Sequence, residues 1–134
     1  MASRTKARRL AIDILFQSDV TGSDGRAVLE GWEEVGRELP PFTRDLVEGV
    51  ADHLEELDRT IGAHSEGWKV ERMASLDRTI LRVATFEIRM LGTPVGAAID
   101  EAVRAAKDLS TEDAGRFVNG VLGRIAAEPG RVGE

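Results

Sequence analysis

The sequence predicts an all-α fold of about six helices. Apolar residues recur at helical spacing through nearly the whole chain, and no stretch alternates apolar and polar residues as a half-buried strand does. The interruptions are helix punctuation: Thr21-Gly22-Ser23-Asp24-Gly25, Pro40-Pro41, Gly92-Thr93-Pro94 and Glu128-Pro129-Gly130.

Ala7, Leu10, Ala11, Ile14 and Leu15 form the first apolar stripe, with Arg8, Arg9, Asp13 and Gln17 off it and Ser3 placed to cap its start. After the Thr21–Gly25 turn, Val28, Trp32, Val35 and Leu39 mark a second helix, which Pro40-Pro41 ends because proline cannot continue the hydrogen-bond ladder. Val47, Val50, Leu54, Leu57 and Ile61 step by three and four residues. They predict one long third helix with a heptad-like seam for a neighbour, stopped at Gly62. A connector follows, with one helical turn near Val70–Met73 and with Trp68 expected as a core plug beneath the loop.

The fourth helix, with Ser75 as its expected cap, is apolar around most of its circumference from Leu76 to Leu91 and should be central. Thr93-Pro94 supplies a cap and a first-turn proline for a fifth helix, whose stripe of Val95, Ala98, Ile99, Ala102, Val103 and Ala106 suits close packing. Ser110 or Thr111 restarts the chain, Ser110 and Asp113 being spaced like a capping box. The last helix holds Val118, Val121, Leu122 and Ile125 on one face. Residues 1–127 read as a single domain, and residues 128–134 as a disordered tail.

The chain has 134 residues, 42% apolar and 31% charged, enough for one domain with a core. No apolar run is long enough for a membrane span, and a charged amphipathic pattern follows the basic start where a signal peptide would have an apolar core. The chain therefore reads as cytoplasmic. Zero cysteines exclude disulfides and thiolate chemistry, and the isolated His53 and His64 do not make a metal site. The net charge of −6 hides an asymmetry: Arg4, Lys6, Arg8 and Arg9 give residues 1–12 a charge of +4, leaving 14 basic and 24 acidic residues for the rest. A basic arm on an acidic body suits a nucleic-acid contact, with a merely solvated terminus as the plain alternative.

Two features stand out against the helical background. Phe117-Val118-Asn119-Gly120-Val121-Leu122-Gly123 lies in a helical pattern yet contains two glycines, each costing roughly 1 kcal/mol against alanine. Either another helix packs on this thin backbone, or a nucleic acid or partner meets Asn119 and Phe117 there. Glu87 falls on the apolar face of the fourth helix and must find an arginine inside the fold or a partner outside it. No Gly-rich phosphate loop, Gly-x-Ser-x-Gly element or facing carboxylate pair is present, so no enzyme and no cofactor is predicted.

Three segments resemble one family: Ala7–Phe16, Leu76–Arg82 with Phe86-Glu87, and Arg116–Leu122, supported by Pro94–Lys107 and the Trp68 connector. Their order and spacing are similar to the NusB family of bacterial transcription antitermination factors, over residues 4 to about 126. The resemblance implies an all-α bundle of six to seven helices in two packed halves. It also implies a non-enzymatic factor that pairs with the ribosomal protein NusE and binds the boxA element of ribosomal RNA leaders. That complex joins RNA polymerase and other Nus factors and suppresses termination. By position, the resemblance implies RNA contacts from Arg4, Lys6, Arg8, Arg9, Phe16, Phe117 and Asn119, and partner contacts from Asp77, Phe86, Glu87 and Asp113. Thr5 interrupts the arm, and Phe16 stands where many relatives carry tyrosine. Four cations would give a log–log salt slope of up to about −3, at about −0.7 per neutralised phosphate.

Three other readings compete. A NusB-like RNA-binding domain of a ribosomal RNA methyltransferase would be followed by an α/β domain, whereas this chain stops at Glu134. A helical interaction module or homodimer would use the heptad-like seam and the small-residue stripe as interfaces. A small enzyme would need a polar pocket with perturbed titrating groups.

Overall fold

The computed structural model describes residues 3–128, and the expected tail beyond them lies outside the described residues. Seven α-helices follow in order, and there are no strands among the described residues: α1 (Ser3–Thr21), α2 (Gly25–Glu34), α3 (Pro41–Asp52), α4 (Leu54–Ala63), α5 (Ser75–Phe86), α6 (Val95–Leu109) and α7 (Glu112–Ala127). A 3-10 turn at Val70–Arg72 precedes α5, and a π-helical turn at Glu87–Leu91 extends it.

The boundaries follow local chemistry. Asp24 caps α2 by accepting from the Arg26 amide at 3.2 Å. Thr111, not Ser110, caps α7 by accepting from the Ala114 amide at 2.9 Å. Gly92, at φ +70°, supplies the left-handed residue that ends the π-helical turn. Ser75 does not cap α5, which Ala74 precedes; its hydroxyl instead donates to Asp19 of α1. Pro94 occupies the cap position of α6, and the Thr93 hydroxyl turns to Glu87. The side chain of Ser3, the expected cap of α1, lies outside the described residues.

α5 is central, packing against α1, α3, α4, α6 and α7. α1, α2 and α3 pack on one another to one side, while α6 and α7 form an antiparallel pair joined by α4 on the other. The core is built from Ala11, Ile14, Leu46, Val47, Leu57, Ile61, Ile80, Leu81, Val121 and Leu122.

One expected helix is two. The seam from Val47 to Ile61 breaks at His53, where the chain closes α3 and reopens as α4. Leu54, an expected seam residue, is consequently 39% exposed. The cause is tertiary: Phe86 of α5 crosses α3 at Gly49, where an added Cβ would sit 2.0 Å from the ring. His53 then stacks on the same ring at 6.0 Å and bonds back to the Gly49 carbonyl at 2.9 Å. The glycines of α7 behave differently. Nothing packs within 4 Å of a Cβ at Gly123, and only Arg124 approaches Gly120. Close packing is served by Gly115 instead, where an added Cβ would lie 2.7 Å from the Lys107 stem of α6.

Candidate nucleic-acid interface

The basic arm is the first turns of α1, and helical phase separates its four cations. Successive residues differ by about 100° around the axis, so one of the four turns inward. Arg8 is 9% exposed. Its guanidinium donates to Glu87 through two nitrogens, at 2.7 and 2.9 Å, a forked pairing that fixes both side chains. The hydrogen bond to Glu87 raises the Arg8 pKa and outweighs the opposing effect of burial, with Glu101 adding to it.

Glu87 is 1% exposed and also accepts from the Thr93 hydroxyl at 3.0 Å. The alternative of an internal arginine therefore holds, and the expected partner contact at Glu87 gives way to it: both carboxylate oxygens are engaged inside the fold. Thr5 extends this cluster by donating to Glu101 at 2.8 Å. The other cations lie outward. Arg4 sits over the Phe42 ring at 3.9 Å, Lys6 is exposed without an ion-pair partner, and Arg9 meets Asp108 at 3.0 Å near the surface.

The expected aromatic and amide residues sit on two helices, α1 and α7. Phe16 is 37% exposed on α1, which packs on α2, α3 and α5. Phe117 is half-buried on α7 and meets Trp68 at 6.0 Å with the rings near 68°. Asn119 lies two residues on, about 200° around the helix, and is exposed in a groove of about 330 Å³ between α6 and α7 beside Ile99, Val103 and Lys107.

The expected partner residues also divide. Asp113 is exposed in the first turn of α7, paired with Arg116, where the helix dipole favours a carboxylate. Asp77 likewise lies in the first turn of its helix, α5, partly exposed, with one carboxylate oxygen buried and unpartnered. Phe86 is buried against Gly49 and His53, so its expected partner contact gives way to a core role.

Two features escaped the sequence. Trp68 is 60% exposed, because Glu66 and Gly67 adopt φ of +48° and +91° and turn the chain outward. At the far end of α1, Asp19 accepts from Ser75, Arg78 and Arg82, and Arg82 also forks onto Asp58 at 2.7 and 2.8 Å. Burial pushes the Asp19 carboxyl up, but the donors from Arg78, Ser75 and Arg82 outweigh it and hold the pKa below the usual value. Burial likewise lowers the Arg82 pKa, and Asp58 and Asp19 raise it beyond its ordinary value. The sequence signal was the i, i+4 pair Arg78 and Arg82 on a mostly apolar helix. Among the described residues no cluster of histidine and carboxylates could hold a metal, and no helix is long and apolar enough to cross a membrane.

The arrangement presents outward cations and surface aromatics. The family model described as the NusB family matches residues 5–127. The transcription antitermination protein NusB of Saccharopolyspora erythraea is 46% identical, over 94% of this chain and 88% of that protein. The solved structure of NusB from T. maritima superposes with a TM-score of 0.84 at 33% identity, covering 93% of this chain and 91% of that one. A crystal structure of antitermination factors NusB and NusE in complex with dsRNA gives a TM-score of 0.83 at 28% identity, covering 95% and 98%.

Proposed function

The chain belongs to the NusB family of non-enzymatic RNA-binding antitermination factors, and we propose that it acts with NusE on the boxA element of nascent ribosomal RNA leaders. The resulting complex joins RNA polymerase and other Nus factors and carries the polymerase through terminators. The observation that carries this reading is likeness along nearly the whole chain to antitermination factors, one of them solved with NusE and RNA.

In this proposal Arg4, Lys6 and Arg9 meet phosphates, and Phe16, Phe117 and Asn119 meet bases or sugars. Single-stranded RNA is read through splayed bases, aromatic stacking and backbone charge. Arg8 is left out of the phosphate set, because its guanidinium is held by Glu87 in the interior. Three cations in place of four lower the expected salt slope to about −2 on a log–log plot. NusE meets the surface around Asp77 and Asp113, while Phe86 and Glu87 support it from beneath. Joining two weak RNA surfaces raises avidity without new contacts.

The test is binding of a labelled boxA-type RNA across salt, with and without NusE, against a scrambled RNA. Specific binding that strengthens with NusE and falls with a slope of about −2 or steeper is expected. Equal, weak binding to both RNAs would sink the boxA reading and leave only a non-specific effect of the arm.

A further inference from the structure

Trp68 is the largest exposed apolar side chain of the described residues and belongs to no expected site. It is held on a short turn: its amide donates to the Ser65 carbonyl at 3.1 Å, and the buried Ser65 hydroxyl donates to Ile61 at 2.5 Å. Phe117 fixes the ring from the side in an edge-to-face contact. Whichever ring gives its edge, at 60% exposure at least one indole face stays open. A rigid aromatic with an open face loses little freedom when a flat ligand stacks on it.

The surroundings select the ligand. Trp68 and Lys69 border an open cavity of about 840 Å³ whose inner wall is Asp19, Asp58, Arg78 and Arg82. Those four charges are spent on one another. Around the tryptophan, Arg59, Lys69 and Arg72 are exposed and carry no side-chain partner. Glu55 and Glu71 offset Arg59 and Lys69 along the cavity, and Arg72, outside its lining, leaves these free side chains a surplus of one positive charge. Open aromatic faces beside unpaired cations fit a single nucleic-acid strand, with bases on the rings and phosphates on the cations.

We propose that Trp68, braced by Phe117 and flanked by Arg59, Lys69 and Arg72, is a base-stacking platform for single-stranded RNA. This rests on the RNA-binding reading and extends it. The basic arm lies at the other end of α1, about 22 Å from Asp19 by helical rise. An RNA that touches both must run the length of that helix.

The chain has two tryptophans, so Trp32→Phe leaves Trp68 as the only indole emitter. Titrating this variant with boxA-type RNA, alone and with NusE, should quench Trp68 saturably. A duplex of the same sequence, whose bases stay stacked, should not. Trp68→Ala should weaken RNA binding about 5- to 150-fold, the value of one stacked base, with an unchanged melting temperature, and Trp68→Phe should restore most of it. Removing Arg59, Lys69 and Arg72 together should flatten the salt slope by up to about 2.

Unchanged RNA affinity in Trp68→Ala, equal quenching by the duplex, or quenching by NusE without RNA would each overturn the platform while leaving the wider RNA reading intact. A wild-type chain that binds no RNA, with or without NusE, would overturn both. Should Trp68→Ala fail to fold, the quenching measurement on the intact tryptophan still decides.

Discussion

The two ends of α1 are both tied to α5 by arginine and carboxylate, but in different ways. At the first end one arginine, Arg8, and one carboxylate, Glu87, face each other inside the fold. At the other end Asp19, Arg78, Arg82 and Asp58 share donors around the wall of an open cavity. The buried pair has only Thr93 and, at 4.0 Å, Glu101 as further polar neighbours, and neither replaces the guanidinium, so removing Arg8 strands a charge. A partly solvated network can redistribute its donors, so its losses should be graded. Burial, more than the number of bonds, sets what each end can tolerate.

The largest effect should come from Arg8→Ala, which leaves Glu87 uncompensated and should cost about 3–5 kcal/mol of unfolding free energy in urea melts. Replacing both partners, as Arg8→Met with Glu87→Leu, should recover most of that loss, because the desolvated charges disappear together. A double variant as unstable as the single one would show that the site depends on the hydrogen-bond geometry itself. Next comes Gly49→Ala on α3, which faces Phe86, the residue before Glu87. The new methyl group meets the Phe86 ring, and overpacking of this kind costs about 1–3 kcal/mol. Thermal melting that left Gly49→Ala at wild-type stability would mean that Phe86 moves aside cheaply and does not set the break between α3 and α4.

Asp19→Asn probes the other end and should cost about 1.5–3 kcal/mol at neutral pH, the range for hydrogen bonds to a charged group. The Asp19 carboxyl is lowered from its ordinary value of 3.8 in the folded chain. Its contribution is therefore complete above about pH 5 and is lost as the pH falls through 4 towards the lowered folded value. Unfolding curves of wild type and Asp19→Asn should converge at acid pH. A constant gap between them down to pH 2 would show that the carboxylate charge is not what the arginines hold.

Much of this was legible in the sequence. Periodicity alone gave α1, α5, α6 and α7, because their apolar stripes are continuous and their ends are marked by glycine, proline or a hydroxyl cap. The break at His53 was not legible: the steps from Val47 to Ile61 run on without interruption, and only a ring from α5 divides them. Trp68 looked like core because it is large and apolar, but a left-handed turn before it decides its direction. Glu87 was visible as an anomaly on an apolar face, yet its partner was not, because a run of four cations looks uniform until helical phase sorts them. The wider buried stripe of α1, which includes Ile12 beside Ala7 and Ala11, was the missed clue that Arg8 faces inward.

The smallest effect on stability makes the sharpest contrast, because it concerns the very next residue. Arg9 lies about 100° around α1 from Arg8 and meets Asp108 near the surface. Exposed pairs of this kind contribute about 0–1 kcal/mol, so Arg9→Ala should melt almost as wild type does. In RNA binding the order should reverse. Losing one phosphate contact should flatten the log–log salt slope by about 0.7, whereas Arg8→Ala, compared at equal folded fraction, should leave the slope unchanged. A slope that responds to Arg8 and not to Arg9 would mean that the Arg8–Glu87 pair opens when RNA binds, and the first end of α1 would then have to be described as a switch and not a fixed brace.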